Sequence, residues 1–159
     1  MSKIKKVGVI GAGTMGSGIA SHVTNAGIPV VLLDLPYTGV GNRNQTTEQA
    51  LEKLAGSTPP AFMDKGNIEL IQIGNTEDDL DQLSDADWIA EAVVERIEVK
   101  QNLYTQLDKI RKPNSLVSSN TSTIPLARLT ERMEPAMRAQ FCITHFFNPV
   151  RYMRLLELV

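Results

Sequence analysis

Residues 5–20 read KKVGVIGAGTMGSGIA, and the fold class can be inferred from this stretch. Its first part, KKVGVI, is a short and mostly apolar run with β-branched side chains, which is typical of a buried strand. The residues that follow, GAGTMG (11–16), space their glycines as Gly-x-Gly-x-x-Gly. Apolar residues then recur at the spacing of one helix face: Met15, Ile19 and Val23. The stretch therefore predicts a strand, a glycine-rich turn and a helix, in that order.

Each glycine of this turn has a separate physical role when the turn binds a dinucleotide. Gly11 allows a tight turn, Gly13 lets the backbone approach a pyrophosphate, and Gly16 lets the helix pack closely against the sheet. The N–H groups of the first helical turn, which contains Thr14 and Met15, then face the phosphates. The glycine spacing alone is a weak signal, but a strand before it and a helix after it favour dinucleotide binding.

An acidic residue supports the same interpretation. The run PVVLLD (29–34) predicts a second buried strand, parallel to the first, that ends on Asp34. Asp34 follows Gly16 by 18 residues, close to the spacing of a carboxylate that binds the ribose hydroxyls of adenosine. Such a carboxylate repels a 2′-phosphate, so the sequence predicts NAD rather than NADP. The alternative is that the glycines serve packing alone and that Asp34 caps a helix.

The rest of the chain continues the alternation of strands and helices. The elements predicted after Asp34 are a helix over 46–55, strands over 68–74 and 88–95, a helix over 98–111, a strand over 115–120, a helix over 124–133, and strands over 141–147 and 154–159. This order predicts an α/β fold of the Rossmann type. We expect one domain over 1–159, with a doubly wound, mostly parallel sheet and an additional C-terminal strand. Ligands are expected beyond the carboxyl ends of the strands.

Composition excludes several classes of function. The net charge of −2 provides no basic field for nucleic acid or for an anionic membrane, and no apolar run has the length of a membrane span. The single cysteine excludes a disulfide framework. Together with only two histidines, it also argues against a Cys/His zinc site, so no metal is expected. A cytoplasmic location fits these features best.

The last segment, ITHFFNPVRYMRLLELV (143–159), contains a candidate acid–base pair. His145 lies near the carboxyl end of a predicted strand, where a doubly wound fold places its ligands. If the turn through NPVRYM folds the last strand back beside it, Glu157 reaches the imidazole. That carboxylate would fix the tautomer of the histidine and stabilise the imidazolium. From spacing alone the alternative remains open that His145 is structural and that Glu157 faces water.

Four segments together resemble a known family: GAGTMGSGIA, DWIAEAVVERIEVK, SSNTSTIPL and HFFNPVRYMRLLELV. They closely resemble the NAD-binding domain of the L-3-hydroxyacyl-CoA dehydrogenases of fatty-acid β-oxidation. The resemblance covers the chain except for roughly 36–80. It implies that NAD oxidises an (S)-3-hydroxyacyl-CoA to the 3-ketoacyl-CoA.

The resemblance also implies roles for individual residues. The family's catalytic base matches His145, and its partner acid matches Glu157. Ser122 and Asn148 match positions that line the reacting centre. Imidazole suits the role of base because it titrates near neutral pH.

Two further positions, Glu95 and Lys100, match residues that touch the nicotinamide half of the cofactor. An alternative is structural, since both lie around a helix start, where an acidic residue suits the helix dipole. Ser122 and Thr121 have a similar alternative, because either one suits the cap of the next helix.

The chain departs from the family in two places. The family continues into a helical domain that forms a homodimer and closes over the acyl chain, and this domain is expected to be absent from these 159 residues. The segment 36–67 replaces a longer helical pair that touches CoA. In this respect the chain looks more like the large bacterial enzymes in which an enoyl-CoA hydratase domain follows the dehydrogenase. We therefore expect NAD binding with little or no turnover.

Two other functions stay open at this level. One is a non-catalytic NAD-binding module, since a Rossmann fold by itself does not imply catalysis. The other is a related dehydrogenase that acts on a hydroxyacid without CoA.

Overall fold

The computed structural model describes residues 4–159, and within them seven strands form one sheet. These strands are β1 (Val7–Ile10), β2 (Val30–Asp34), β3 (Ile71–Asn75), β4 (Trp88–Glu91), β5 (Leu116–Ser119), β6 (Phe141–Phe146) and β7 (Leu156–Leu158). Their spatial order is β3-β2-β1-β4-β5-β6-β7. Strands β1 to β6 are parallel, and β7 is antiparallel to β6. This confirms the predicted doubly wound, mostly parallel α/β sheet with an additional C-terminal strand.

Helices cover the crossovers between parallel strands. They are α1 (Thr14–Thr24), α2 (Gln45–Ala55), α3 (Ile97–Ile110), α4 (Leu126–Leu129) and α5 (Pro135–Arg138), with short 3₁₀ helices at Lys65–Leu70 and Leu80–Leu83. The chain runs outward from β1 through β2 to β3, then returns to the other side of β1 as β4. The strand order therefore reverses between β1 and β4, and this is the crevice where open α/β sheets bind ligands. None of the helices in residues 4–159 is long and apolar enough to cross a membrane.

The sheet has an apolar layer on each face because its central strands are buried on both sides. All four residues of β1 are buried. Val7 and Val9 pack with Ile19 of α1 on one face, and Ile10 packs with Leu107 of α3 on the other. This alternation follows from the two-residue repeat of a strand. The core therefore holds α1 and α3 on opposite faces.

The predicted helix over 124–133 is wrong in its extent. Only Leu126–Leu129 and Pro135–Arg138 are helical. Glu134, which precedes Pro135, is extended with φ −60° and ψ 149°. The first of these two helices, α4, already ends at Leu129, and residues 130–132 form a turn in which the Thr130 hydroxyl donates to the carbonyl oxygen of Leu126. The extended Glu134 then separates this turn from α5, since a residue before proline disfavours the helical conformation. Proline then occupies the first position of α5, where its missing N–H costs no hydrogen bond.

Other boundaries differ less. The predicted strand over 88–95 ends at Glu91, and the remaining residues form a loop at the carboxyl edge of the sheet. The strand predicted over 68–74 begins only at Ile71, because Lys65–Leu70 forms a 3₁₀ helix. The first helix ends at Thr24, and Gly27 takes a left-handed φ of 73° three residues later. These shifts leave the order of the elements unchanged.

Candidate functional site

The glycine turn lies between β1 and α1, and the structure gives each glycine a different constraint. Gly11 has a φ of 103°, and a Cβ there would lie 2.4 Å from the carbonyl oxygen of Ala92. A Cβ on Gly16 would lie 1.7 Å from the carbonyl oxygen of Gly11. Around Gly13 no atom lies within 4 Å of the added Cβ. The fold itself therefore requires Gly11 and Gly16, whereas Gly13 leaves open space above the turn.

The first turn of α1 begins directly beside that space, because Gly13 is followed by the first helical residue, Thr14. Gly13 is the N-cap residue, and in the described part of the chain no side chain caps this helix. Thr14 and Met15 begin the helix. The free N–H groups of a first helical turn and the positive end of the helix dipole together attract an anion. The turn therefore fits the pyrophosphate of a dinucleotide.

Asp34 lies beside the turn at the carboxyl end of β2. Its Oδ2 accepts a hydrogen bond from the N–H of Ala12 at 2.6 Å, and its Oδ1 accepts one from the N–H of Leu35 at 2.6 Å. Asp34 thus caps no helix among the described residues, contrary to the structural alternative. Each carboxylate oxygen has a second lone pair, so both remain able to accept from a ribose hydroxyl.

A cavity of about 400 Å³ adjoins this carboxylate. Its walls come from the glycine turn, the end of β2 and the start of α3, and include Gly11, Gly13, Asp34, Leu35, Val94 and Val99. Leu35 and Val94 are more than half exposed, at 65% and 59%. Apolar walls beside one carboxylate fit a nucleoside, which presents a flat ring and two adjacent hydroxyls.

His145 and Glu157 contact each other, as the sequence predicts. They are directly opposite residues of the antiparallel pair β6–β7. The Nδ1 atom of His145 lies 2.8 Å from Oε2 of Glu157. With a proton on Nδ1 donated to this carboxylate, the Nε2 atom carries the lone pair. The contact can fix the tautomer and orientation of the imidazole, and strand register rather than loop geometry holds it.

The loop after β5 lies against the end of β6. The side-chain oxygen of Asn120 accepts a hydrogen bond from the N–H of Phe146 at 2.9 Å, which ties the loop to the residue after His145. Ser122 follows in this loop and is exposed. The hydroxyl of Thr121 accepts from the N–H of Ile124 at 3.1 Å, so Thr121, and not Ser122, holds the following turn. The hydroxyl of Ser122 is left on the surface of the edge that carries His145.

Asn148 follows His145 in the turn between β6 and β7, and it lines a second cavity of about 420 Å³. The walls of this cavity come from the glycine turn and α1, from α2 and the segment after it, and from the β6–β7 turn; they include Gly13, Ser17, Lys53, Thr58, Asn148 and Tyr152. Arg151 joins two of these parts, because its guanidinium donates to the carbonyl oxygens of Pro60 and Phe62. The divergent segment 36–67 therefore shares a cavity with the turn that follows His145.

Glu95 and Lys100 are in contact, but only Glu95 reaches the surface. Glu95 accepts hydrogen bonds from the hydroxyls of Thr121 and Thr123. Burial opposes its ionisation, yet the Thr121 hydroxyl and the Lys100 ammonium outweigh burial and hold the pKa of Glu95 below its usual range. The side chain of Lys100 is 1% exposed, and its Nζ lies 3.2 Å from Oε2 of Glu95. Lys100 therefore lies behind Glu95, and its expected effect on a cofactor runs through that carboxylate.

Sequence reasoning missed Glu91, whose side chain is fully buried at the end of β4. Its Oε1 lies 2.6 Å from Nζ of Lys100, and its Oε2 accepts from the hydroxyls of Tyr104 and Ser119. Burial, and then the charge of Glu91, raises the pKa of the Tyr104 hydroxyl far above its usual value. A signal was present: Glu91 is an acid inside the apolar run WIAEAVV, and a buried charge of this kind requires a partner.

Comparisons with known proteins agree with this geometry. The family model described as "3-hydroxyacyl-CoA dehydrogenase, NAD binding domain" matches residues 6–159. A Deinococcus radiodurans protein named "Probable 3-hydroxyacyl-CoA dehydrogenase" is 43% identical over 157 residues, which is 99% of this chain and 45% of that protein. The peroxisomal fatty acid beta-oxidation multifunctional protein of Arabidopsis thaliana is 35% identical over 156 residues, 98% of this chain and 21% of that protein.

A solved structure supports the same relation. The 3-hydroxybutyryl-CoA dehydrogenase of Escherichia coli K12 matches with a TM-score of 0.83 and 27% identity, over 99% of this chain and 32% of that chain. In each of these comparisons the chain spans less than half of the length of the protein that it matches.

Alanine substitutions at two glycines separate folding from cofactor binding. We expect Gly16→Ala to lower the stability of the fold, because its Cβ would lie 1.7 Å from a backbone oxygen that cannot move freely. We expect Gly13→Ala to fold normally and to bind NAD at least tenfold more weakly, because its Cβ enters the open space above the turn. Thermal unfolding and calorimetric titration measure the two effects. Equal loss of stability in both variants would contradict this assignment.

A substitution at Asp34 tests the choice between NAD and NADP. Asp34→Asn removes the negative charge and keeps the shape of the side chain, so we expect weaker NAD binding and a smaller preference for NAD over NADP. One lost hydrogen bond to a charged group corresponds to about 1.5–3 kcal/mol, or roughly tenfold to a hundredfold in affinity. Titration of Asp34→Asn and of the unsubstituted chain with NAD and NADP gives the ratio of the two affinities. An unchanged ratio of NAD affinity to NADP affinity would show that Asp34 does not recognise the ribose.

Proposed function

Because this chain belongs to the family of the 3-hydroxyacyl-CoA dehydrogenase NAD-binding domain, we propose that it is the cofactor-binding domain of an enzyme that oxidises (S)-3-hydroxyacyl-CoA to 3-ketoacyl-CoA. The observation that carries the proposal is the His145–Glu157 contact of 2.8 Å at the ligand-binding edge of the sheet. A module that only binds NAD has no use for a base with its own orienting acid. The contact therefore favours catalysis over simple binding.

In this proposal, the residues around the glycine turn bind the cofactor. Gly11, Gly13, Gly16 and the first-turn N–H groups of Thr14 and Met15 hold the pyrophosphate. Asp34 accepts hydrogen bonds from the adenosine ribose and disfavours a 2′-phosphate. Bound NAD supplies a hydride acceptor, which no side chain of the protein provides. The open space at Gly13 and the spare lone pairs of Asp34 both fit this ligand.

In this proposal, His145 and Glu157 carry out the proton transfer. His145 would accept the proton of the substrate's 3-hydroxyl at Nε2, while bound NAD would take up the hydride that leaves C3. Glu157 keeps Nδ1 protonated before this step and stabilises the imidazolium after it. The hydroxyl of Ser122 and the amide of Asn148 hold the substrate oxygen without competing for its proton.

Glu95 and Lys100 serve the nicotinamide half of the cofactor in this proposal. Glu95 is the surface residue of the pair and lies in contact with the loop that carries Ser122. Lys100 is buried beside Glu95 and affects the cofactor through that carboxylate. Both therefore shape the site between the dinucleotide and the reacting centre.

The acyl-CoA part of the proposal is supported by the second cavity. Its lining includes Asn148, in the turn that follows the proposed base, and continues from the glycine turn along α1 to α2. Lys53 of α2 lines it and provides a positive charge for a phosphate of CoA. A substrate that occupies this cavity would be longer than a free hydroxyacid, which favours an acyl-CoA over a hydroxyacid without CoA.

The remaining partners follow from the same family. We propose that a helical domain outside these 159 residues makes the whole protein a homodimer and covers the exposed apolar side chains near β7. These side chains are Tyr152, Met153, Leu155, Leu156 and Leu158. A fused enoyl-CoA hydratase domain is part of the proposal, because matched relatives include a multifunctional β-oxidation protein. A cytoplasmic location completes it and is consistent with a single cysteine.

An assay on the 159-residue chain tests whether this domain binds NAD by itself but needs a further domain for turnover. We expect calorimetry to show NAD binding, and we expect little or no reduction of acetoacetyl-CoA by NADH, because this chain supplies only one side of the substrate cleft. The absorbance of NADH gives the rate. A rate in the range of ordinary enzymes, about 1–10³ s⁻¹, would contradict the proposed need for a further domain.

Two substitutions in the whole protein test the acid–base pair. His145→Gln should lower kcat about 10²–10⁴-fold while NAD affinity stays constant, because only proton transfer is lost. Glu157→Gln should lower kcat less, since the imidazole remains in place with a weaker partner. Steady-state kinetics and NAD titration on the same preparations separate the two quantities. If His145→Gln turned over normally, another residue would have to be the base.

A further inference from the structure

Glu91 is a buried carboxylate whose hydrogen-bonding capacity is fully used. Its Oε1 accepts from the N–H of Val93 at 2.8 Å and from Nζ of Lys100 at 2.6 Å. Its Oε2 accepts from the hydroxyls of Tyr104 at 2.5 Å and Ser119 at 2.7 Å. Desolvation of a carboxylate is costly, and only such complete pairing makes it tolerable in a core.

The four donors come from three different parts of the fold. Val93 belongs to the loop after β4, Lys100 and Tyr104 belong to α3, and Ser119 ends β5. One side chain therefore fixes a helix and a neighbouring strand relative to the carboxyl end of β4. Truncating a hub of this kind affects all three parts at once.

The contacts also continue from Glu91 to the surface of the site. Lys100 contacts Glu91 on one side and Glu95 on the other, at 2.6 Å and 3.2 Å. Glu95 in turn accepts from Thr121 in the loop that carries Ser122. A second route reaches the same loop, because the hydroxyl of Ser119 accepts from the N–H of Thr121 at 3.3 Å.

We propose that Glu91 is a positioning residue for the nicotinamide half of the cofactor, acting through Lys100 on Glu95 and on the loop 120–123. This inference rests on the proposed function, which places the nicotinamide at this edge of the sheet. In a purely structural ion pair, Glu91 and Lys100 would contact only each other, and neither would contact a residue of the site. Here the chain of contacts ends on Glu95, whose side chain is 40% exposed at the site.

The charges of these residues place the excess negative charge at the surface end of the chain of contacts. Two carboxylates share one ammonium, so the cluster of Glu91, Lys100 and Glu95 keeps a net negative charge. Lys100 neutralises the buried carboxylate, and the remaining charge lies on Glu95 at the surface. The hydroxyl of Tyr104 stays protonated, so it remains a donor to Glu91 at all ordinary pH values. Glu95 is thus held as an ionised group in one place.

Binding of NAD and of ADP-ribose by the 159-residue chain separates positioning from folding. ADP-ribose contains the adenosine and both phosphates but lacks the nicotinamide. Glu91→Gln keeps the shape of the side chain, but its amide has one accepting oxygen instead of two and leaves Lys100 without its closest counter-charge. We expect about tenfold weaker NAD binding in this variant, as for the loss of a charged hydrogen bond, and ADP-ribose binding unchanged within about twofold.

A second variant keeps the test valid if Glu91→Gln does not fold. Thr121→Val keeps the shape of Thr121 and removes one of the two hydroxyls that join Glu95 to the loop, so the same selective loss of NAD affinity is expected. Thr24→Val is the matched control. It removes a buried hydroxyl that bonds the carbonyl oxygen of Ser21 inside α1, far along the helix from the glycine turn, and should change neither affinity.

The outcomes separate this inference from the proposed function. A selective loss of NAD affinity in Glu91→Gln, or in Thr121→Val where the first variant is unfolded, supports the positioning role. An unchanged ratio of NAD to ADP-ribose affinity in the folded variants overturns the positioning role alone. If the unsubstituted chain binds ADP-ribose as tightly as NAD, the nicotinamide has no site here, and the proposed function fails together with this inference.

Discussion

The close contact between α1 and the end of β1 is the constraint on which the rest of the site depends. Gly16 lies so near the carbonyl oxygen of Gly11 that even a methyl group is excluded. This contact starts the helix directly at the carboxyl edge of the sheet. The uncapped first turn of α1 therefore faces the same crevice as the ends of the neighbouring strands. A helix placed farther from β1 would leave the phosphate site and the strand ends in different places.

The parallel register then brings distant parts of the chain to one edge. Leu33, Ile10, Glu91, Ser119 and Ile143 form one row of paired residues across five strands. The residues that follow this row emerge from the sheet together. They include Asp34, Gly11, the loops that carry Glu95 and Ser122, and finally His145. The antiparallel pairing of β7 adds Glu157 opposite His145. The candidate site is thus the set of residues just beyond one row of the sheet.

Features with a local signature could be predicted from the sequence. The glycine turn and Asp34 follow from spacing, and the His145–Glu157 contact follows from two strands joined by a short turn. The apolar run WIAEAVV indicates that Glu91 is buried, but its partners and the depth of Lys100 could not be predicted, because they depend on β4, α3 and β5 meeting in three dimensions. Pro135 predicts that no helix continues through Glu134, but it does not account for the end of α4 at Leu129. Residue spacing can predict contacts between residues that are near in sequence, whereas the contacts of a buried side chain such as Glu91 are known only from the assembled fold.

The most direct test of this account is a crystal structure of the 159-residue chain with NAD. We expect the adenosine ribose on the Asp34 carboxylate, the pyrophosphate above Gly13, and the nicotinamide ring between Glu95 and His145. That arrangement places the hydride acceptor beside the proposed base. A dinucleotide bound in the opposite direction, or with its nicotinamide away from His145, would contradict the account.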